Sequence, residues 1–429
     1  MHNIDLDLSL DEITKIEGAA TLDLKIRDGV VKECKFAIAE YKRFYTQAIR
    51  QKPISAVPQL VARICGTCSN AHLLCNLKAI EKTIGFTPSP QTMMLRQLLN
   101  YGLIIRDHAL HLYVFVLPDL FSKNSILEFD ETDPLQHELL DDCFAVKKAG
   151  NNLGIAVGGR SVHAPLLALG GFTKIPAKES LKQLIPELES IRPKILKLID
   201  VFYKCQFELI QDLEFVALID DSYSFLTGAI KTSQGDVIPE TEYGKHLEKS
   251  LIPYSQASGF RFDGKIHFVG ALARMNLNSH ALHGRTKNDT STAISLFPSI
   301  NIYHNNLAQA IEMLHAVDMS IDLINRYDAK PEPLPKITPQ EGSSAAVIEA
   351  PRGTLHHAMK ISSDGKVKTG QIVVPTGQNQ IGIERSIFEY VSQHIHKPKD
   401  EMSQEIEKVI RAYDPCMSCA THFLKINWK

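Results

Sequence analysis

Two Cys-x-x-Cys pairs stand near opposite ends of this chain, Cys65-Gly-Thr-Cys68 and Cys416-Met-Ser-Cys419. A small zinc module gathers its four ligands within a short stretch, because its fold is organised around the metal. Pairs this far apart instead need a large folded body to bring both halves of the sequence to one place. Four thiolates inside such a body make a soft site, suited to nickel, iron or zinc and unsuited to magnesium or calcium. Spacing alone leaves three readings open: a catalytic metal, one buried structural zinc, or two unrelated pairs. The remaining cysteines, Cys34, Cys75, Cys143 and Cys205, are isolated in apolar or amphipathic contexts and read as reduced core residues.

Such a body is within reach of this composition. Of 429 residues, 44% are hydrophobic and 22% charged, an ordinary balance for a globular chain with a sizeable core. A formal net charge of −2 argues against a nucleic-acid or membrane-surface footprint. No apolar run reaches the roughly 18–20 residues that a membrane span needs. The first residues, Met1-His-Asn-Ile-Asp-Leu-Asp7, are acidic and lack the basic and apolar regions of a signal peptide. The expectation is a cytoplasmic protein without a membrane span.

Hydrophobic periodicity predicts a β-hairpin at 20–26 and 30–39 around Asp28-Gly29, then mostly helices. A helix is expected over 69–84, ending at Gly85, and a long one over 89–117, apolar nearly all round and stopped at Pro118. Residues 178–213 read as helical with breaks at Pro186 and Pro193, and 301–327 as a strong amphipathic helix. Strands follow at 345–349, 354–361 and 367–375, then helices at 378–394 and 399–413 that deliver the last cysteines. The stretch 223–279, rich in Gly, Pro and Ser, reads as a peripheral, irregular insertion. The fold class is α+β, mainly α: one unit over residues 1–429, with a long-helix bundle at its core and small peripheral sheets.

Cys65 and Cys68 enter the helix expected at Ser69, where the partial positive charge of a helix N-terminus favours thiolates. Gly66 permits a tight turn between them. Pro415 ends the preceding helix and presents Cys416 and Cys419 from a loop.

The residues around the two pairs resemble the paired signatures of the large subunit of nickel–iron hydrogenases: Arg63-Ile-Cys-Gly-Thr-Cys-Ser-Asn-Ala-His72 and Asp414-Pro-Cys-Met-Ser-Cys-Ala-Thr-His422. Ile16-Glu17-Gly18, Gly158-Gly-Arg-Ser-Val-His163, Glu349-Ala-Pro-Arg-Gly353 and Val374-Pro-Thr-Gly-Gln-Asn379 match further motifs, in family order. Arg43-Phe-Tyr45, His108-Ala-Leu-His-Leu-Tyr113 with Leu117-Pro-Asp119, and Arg411-Ala-Tyr413 are most similar to alpha subunits of the cytosolic, bidirectional sulfhydrogenase type.

This resemblance implies a fold shared with the quinone-site subunit of respiratory complex I. It also implies a centre of nickel and an iron carrying carbon monoxide and cyanide. Cys65 and Cys416 would be terminal nickel ligands, and Cys68 and Cys419 would bridge to the iron. Cys416, the more basic terminal sulfur, would accept the proton from dihydrogen, and Glu17 would relay it. Arg352 would hold the iron's cyanide, with Pro375 and Thr376 beside it. Asp119 would pair with Arg352 and orient it, and His72 would hydrogen-bond a bridging sulfur. His422 would bind an additional magnesium or iron ion, although Thr46 stands where relatives place a glutamate. Lys15 and Ala19 likewise replace the more usual Arg and His around Glu17. Residues 423–429 resemble a tail that a maturation protease removes.

The reading that follows is the catalytic large subunit of a cytosolic nickel–iron hydrogenase, converting dihydrogen reversibly to protons and electrons. No cysteine set remains for an iron–sulfur cluster, and no dinucleotide fingerprint is present. Electrons would therefore leave through an iron–sulfur small subunit, and the sulfhydrogenase likeness implies further subunits binding FAD and NADP(H). Three alternatives stand beside it: a hydrogenase coupled to a deazaflavin or heterodisulfide-type partner, a non-catalytic complex I-like relative, and a zinc-stabilised scaffold. Retention of all four cysteines counts against the complex I-like relative.

Overall fold

Ser89 accepts the amide of Thr92 at 3.0 Å and Pro90 takes the first helical position, so a helix starts there and runs Pro90–Ala109. In the computed structural model, which describes residues 5–41 and 43–421, every residue of this helix from Leu98 to Ala109 is buried. The expectations for His422 and for a removable tail at 423–429 lie outside the described residues.

The helix does not stop at Pro118, as the sequence suggested. A wider π-helical run, Leu110–Val116, follows and passes directly into Leu117–Leu120. Pro118 falls in the first turn of that last piece, where a missing N–H breaks no bond. Pro134–Gly158 and His304–Arg326 pack against the central helix. Glycines make the first of these crossings close: a Cβ on Gly150 would stand 2.7 Å from the amide nitrogen of Arg106.

The helix expected over 178–213 is shorter. It forms as Lys178–Lys182 and Ile185–Tyr203, with Pro186 in the first turn of the second piece and Pro193 inside it. Residues 204–213 are not helical, because their backbone pairs elsewhere. Gln211 N donates to Ile300 O at 2.9 Å, and Ile302 N donates to Leu209 O at 3.1 Å.

The cysteine helix, Ser69–Thr83, lies on a three-stranded antiparallel sheet of Gly342–Ala350, Gly353–Ile361 and Val367–Val373. Ala350 pairs with Gly353, so Pro351 and Arg352 form the two-residue turn of a hairpin. The N-terminal hairpin, Ala20–Arg27 and Val30–Ile38, turns at Asp28-Gly29 with φ of 54° and 72°, the left-handed pair that a tight hairpin requires. Leu6–Leu10 adds a third strand to it that the sequence reading did not anticipate.

Residues 223–279 are not a peripheral insertion. They supply Ala229–Thr232 and Val237–Ile238 to a sheet with Glu214–Ile219, a hairpin of Leu247–Leu251 and Ser258–Phe262, and the helix Ala271–Asn278. Tyr243, His267 and Arg274 in this stretch are all buried. At the far end, Pro375–Gln393 and Lys399–Ala412 lead to Asp414, in a left-handed conformation with φ of 48°, and to the short turn Met417–Ala420. One buried apolar cluster extends from Leu8 to Ala420.

Candidate metal centre

The four cysteines meet. Their sulfurs lie within 4.8 Å of one another, and all four residues are buried. Cys65 Sγ is 3.4 Å from Cys416 Sγ, Cys68 Sγ is 2.9 Å from Cys419 Sγ, and Cys416 Sγ is 3.0 Å from Cys419 Sγ. Each pair opens a helical turn: Cys65 is extended and Cys68 is the N-cap of Ser69–Thr83, while Cys416 is the N-cap of Met417–Ala420.

Several segments clamp these turns. The Arg106 guanidinium donates to Thr67 O and, at 2.5 Å, to Ser161 O. The Ser69 hydroxyl accepts the amide of His163 at 2.9 Å. Arg43 donates to Ser418 O, and Tyr45 OH donates to Arg63 O at 2.6 Å. The Cys416 amide donates to Thr376 Oγ1 at 2.8 Å, which leaves the threonine's own proton free to be donated.

The charge on the sulfurs is not set as the helix N-terminus suggested. Hydrogen bonds from Cys416, Cys419 and Cys68 hold the Cys65 thiol well below its ordinary value. Hydrogen bonds from Cys416 and Cys419 also pull Cys68 down, but its bond to Cys65, burial and the Cys65 anion outweigh them and leave it at about 11. Burial, then hydrogen bonding within the cluster, pushes Cys416 well up. The same burial raises Cys419. Burial and the neighbouring anion therefore disfavour a second thiolate beside Cys65. Four are stable only with a multivalent cation between them, whose binding displaces the protons.

Glu17 stands against this cluster. Its Oε2 accepts from Cys416 Sγ at 3.0 Å and from the Ser418 amide at 3.3 Å, and its carbonyl accepts the Met417 amide at 2.8 Å. Glu17 and Cys416 form a parallel bridge, so carboxylate and thiol are held side by side by the main chain. Burial and the Cys65 anion raise the Glu17 carboxyl above the usual range. The residue is only half-buried and Gly18 is exposed, which leaves a short way to solvent.

A narrow cavity adjoins Cys68, Cys416 and Cys419. His72, Arg352 and Thr376 line its polar side and Ala350, Leu355 and Pro375 its apolar side. His72 Nδ1 lies 3.3 Å from His357 Nε2. Arg352 donates from Nη1 to Asp107 Oδ2 at 2.6 Å, while its Nε is 3.0 Å from Asp414 Oδ1 without the alignment of a hydrogen bond. Its Nη2 is buried with no partner among the described residues. An orphan guanidinium donor, a free threonine proton and four sulfurs around one cavity fit a soft metal centre that carries small acceptor ligands.

Asp119 is the residue the sequence reading misplaced. It is buried, but it pairs with Arg411 Nε and Nη2 at 2.6 and 2.9 Å and with Lys15 Nζ at 2.6 Å, not with Arg352. Asp107 and Asp414 are the carboxylates on Arg352. The signal for Asp107 was available: Arg106-Asp107-His108 puts three ionisable residues directly after the apolar run Leu103-Ile-Ile105, where charged side chains are rarely buried without partners. Arg106 holds the first cysteine loop, Asp107 holds Arg352, and His108 Nε2 meets Glu312 Oε2 at 2.9 Å.

Residues 46–140 and 220–422 match the family described as nickel-dependent hydrogenase. The chain belongs to this family. It is 31% identical to sulfhydrogenase 1 subunit alpha of Pyrococcus furiosus over 432 residues, covering 99% of this chain and 100% of the relative. Sulfhydrogenase 2 subunit alpha of the same organism is 30% identical over 98% of this chain and 100% of its own length. Among solved structures, an NAD+-reducing NiFe hydrogenase in its H2-reduced state superposes with a TM-score of 0.87 and 22% identity, covering 97% of this chain and 99% of the other. That likeness shows the hydrogenase large-subunit fold. The protein is the catalytic large subunit of a nickel-dependent hydrogenase, an oxidoreductase acting on hydrogen. Among its described residues, no helix is long and apolar enough to cross a membrane.

Proposed function

We propose that this hydrogenase large subunit cleaves dihydrogen heterolytically and reversibly at a nickel–iron centre held by Cys65, Cys68, Cys416 and Cys419. When bound, nickel together with an iron carrying carbon monoxide and cyanide would supply Lewis acidity toward dihydrogen. The chain supplies the base and the proton path. Cys416 Sγ accepts the proton and passes it to Glu17 Oε2, 3.0 Å away, and this contact is the observation that carries the reading. Arg352 Nη2 and the Thr376 hydroxyl would donate to the diatomic ligands, and the apolar wall of Ala350, Leu355 and Pro375 would exclude water. His72, which lines the same cavity, would hydrogen-bond the sulfur of Cys68 or Cys419.

Electrons pass to an iron–sulfur small subunit and on to FAD- and NADP(H)-binding subunits in the cytoplasm. The full-length likeness to proteins named as alpha subunits supports the presence of partner subunits. His422 binds a further magnesium or iron ion, and a maturation protease removes the tail after nickel insertion.

Nickel and iron content of the purified complex, with infrared bands of iron-bound carbon monoxide and cyanide, tests the centre. Zinc alone, without those bands, sinks it. Reduction of NADP+ under dihydrogen, against NAD+ and a deazaflavin as competitors, tests the acceptor.

A further inference from the structure

Arg352 occupies an awkward place. It is the second residue of a two-residue hairpin turn, between Ala350 and Gly353. Hairpins of this length favour turns with positive φ, whose twist matches the strands. Pro351 fixes its own φ near −65° and rules those turns out, and Arg352 is not among the residues with positive φ. An unprimed turn splays its strands unless something else holds it.

Arg274 lies directly against this turn. Its Nη1 donates to Ala350 O at 3.2 Å and its Nη2 to Pro351 O at 3.0 Å, the two carbonyls that precede Arg352. The same guanidinium is fixed from behind. Nε and Nη2 donate to Glu312 at 2.6 and 2.7 Å, and Nη1 donates to Glu349 Oε2 at 2.7 Å. The start of the Arg274 helix touches the turn as well. A Cβ on Gly353 would stand 2.8 Å from the carbonyl carbon of Val269, and Gly270, with φ of 144°, faces Arg352 O. Asn379 holds Val269 at both N and O, at 3.0 and 2.8 Å.

We infer that Arg274, backed by Glu312 and Glu349, is a positioning residue that sets where the Arg352 guanidinium stands over the metal cavity. It touches neither metal nor substrate. Its acceptors are the main chain on which Arg352 is mounted, so a change in its reach moves Arg352 without substituting any residue that lines the cavity. This rests on the reading of Arg352 given above.

The test compares Arg274→Lys, Gly270→Ala and Arg352→Lys with Arg192→Lys in the assembled complex. Arg192 is a buried arginine of similar kind, paired with Asp318 and Asp289 away from this turn. Beside turnover and melting temperature, two readouts decide: the infrared frequencies of the iron-bound ligands, and hydrogen–deuterium exchange of the amides at 352–354. Arg274→Lys keeps the charge but reaches fewer acceptors. It should shift the bands in the same direction as Arg352→Lys, speed exchange at the turn and slow turnover by about tenfold to a hundredfold. Gly270→Ala should move both readouts without removing a buried charge. Arg192→Lys should lower the melting temperature and leave the bands in place. If Arg274→Lys lowers the melting temperature but leaves bands and exchange at parental values, Arg274 is only a strut and the inference fails. If Arg352→Lys itself leaves the bands unmoved, the role of Arg352 falls, and exchange at 352–354 still decides whether Arg274 holds the turn.

Discussion

Arg274 and Arg352 are both buried, at 2% and 4% exposure, and each lies between two carboxylates, yet they differ in one respect. Every guanidinium nitrogen of Arg274 is used, on Glu312, Glu349 or a main-chain carbonyl. Among the described residues, Arg352 makes one aligned bond, to Asp107, and leaves Nη2 without a partner. An unsatisfied buried donor costs on the order of 1–3 kcal/mol, and more when charged. A fold keeps such a donor only where another group compensates for it. The closed network belongs to the scaffold, and the open donor marks the place where the scaffold stops and chemistry begins.

The comparison breaks most completely at the sulfurs. Cys68→Ser or Cys419→Ser substitutes a hard, high-pKa ligand that cannot bridge two soft metals. Nickel content and dihydrogen uptake should both fall to background, and a nickel-loaded, active variant would remove the metal centre from the account. Next comes the closed network. Glu312→Gln strands Arg274 and His108 in the interior and should destabilise the subunit by about 3–5 kcal/mol in urea unfolding. A loss no larger than that from cutting the exposed Lys204–Asp200 pair would show the network to be slack.

The open side is expected to respond in rate. Glu17→Gln keeps the shape and cannot carry a proton, so hydrogen–deuterium exchange should drop by roughly two orders of magnitude with metals intact. Unchanged exchange would hand the relay to another residue. Arg352→Lys keeps charge and loses the planar fork, so turnover should fall by on the order of a hundredfold while the metals still assemble.

The most gradual effect is the pH dependence of stability. Burial lowers His267 to about 4, His315 to about 3 and His356 to about 4, all from an ordinary 6.5. Below pH 6.5 the unfolded chain takes up these protons first, so stability falls as pH drops, by at most about 1.4 kcal/mol per pH unit for each histidine. Glu349 acts in the opposite sense. Burial raises it from 4.5 to about 7 despite Arg274 beside it, so its share of stability falls as pH rises through that window. Three histidines outweigh one glutamate, and urea midpoints should rise from pH 4.5 to 6.5. A flat profile would mean that these histidines are already protonated in the fold.

Much of this was legible in the sequence. The cysteine helix, the N-terminal hairpin and the three strands around Arg352 declare themselves by periodicity and by Asp28-Gly29. The four cysteines, Glu17, His72, Arg352, Pro375 and Thr376 are brought to one place, as their motifs implied. What stayed hidden depends on tertiary phase. Composition made 223–279 look like surface, because Gly270 is there for a close backbone approach and Arg274 is an arginine that happens to be buried. Asp119 was assigned to Arg352 by the family resemblance alone, and a sequence does not show which face of a helix an aspartate occupies once the winding changes.

That change of winding has a consequence of its own. Counted at about 100° per residue, Asp119 would lie some 120° round the helix from Asp107. The wide run Leu110–Val116 takes up extra chain, and with one residue absorbed the offset shrinks to about 20°. Asp107, His111 and Asp119 then form one file along the composite helix. The file meets the end of the sequence at Arg352 with Asp414, at the Arg411 carbonyl, and at the Arg411 side chain. A one-residue length difference here is therefore a difference of pitch rather than of contact. In an alignment of related chains, a gap within 110–116 would not signal that either aspartate had lost its arginine.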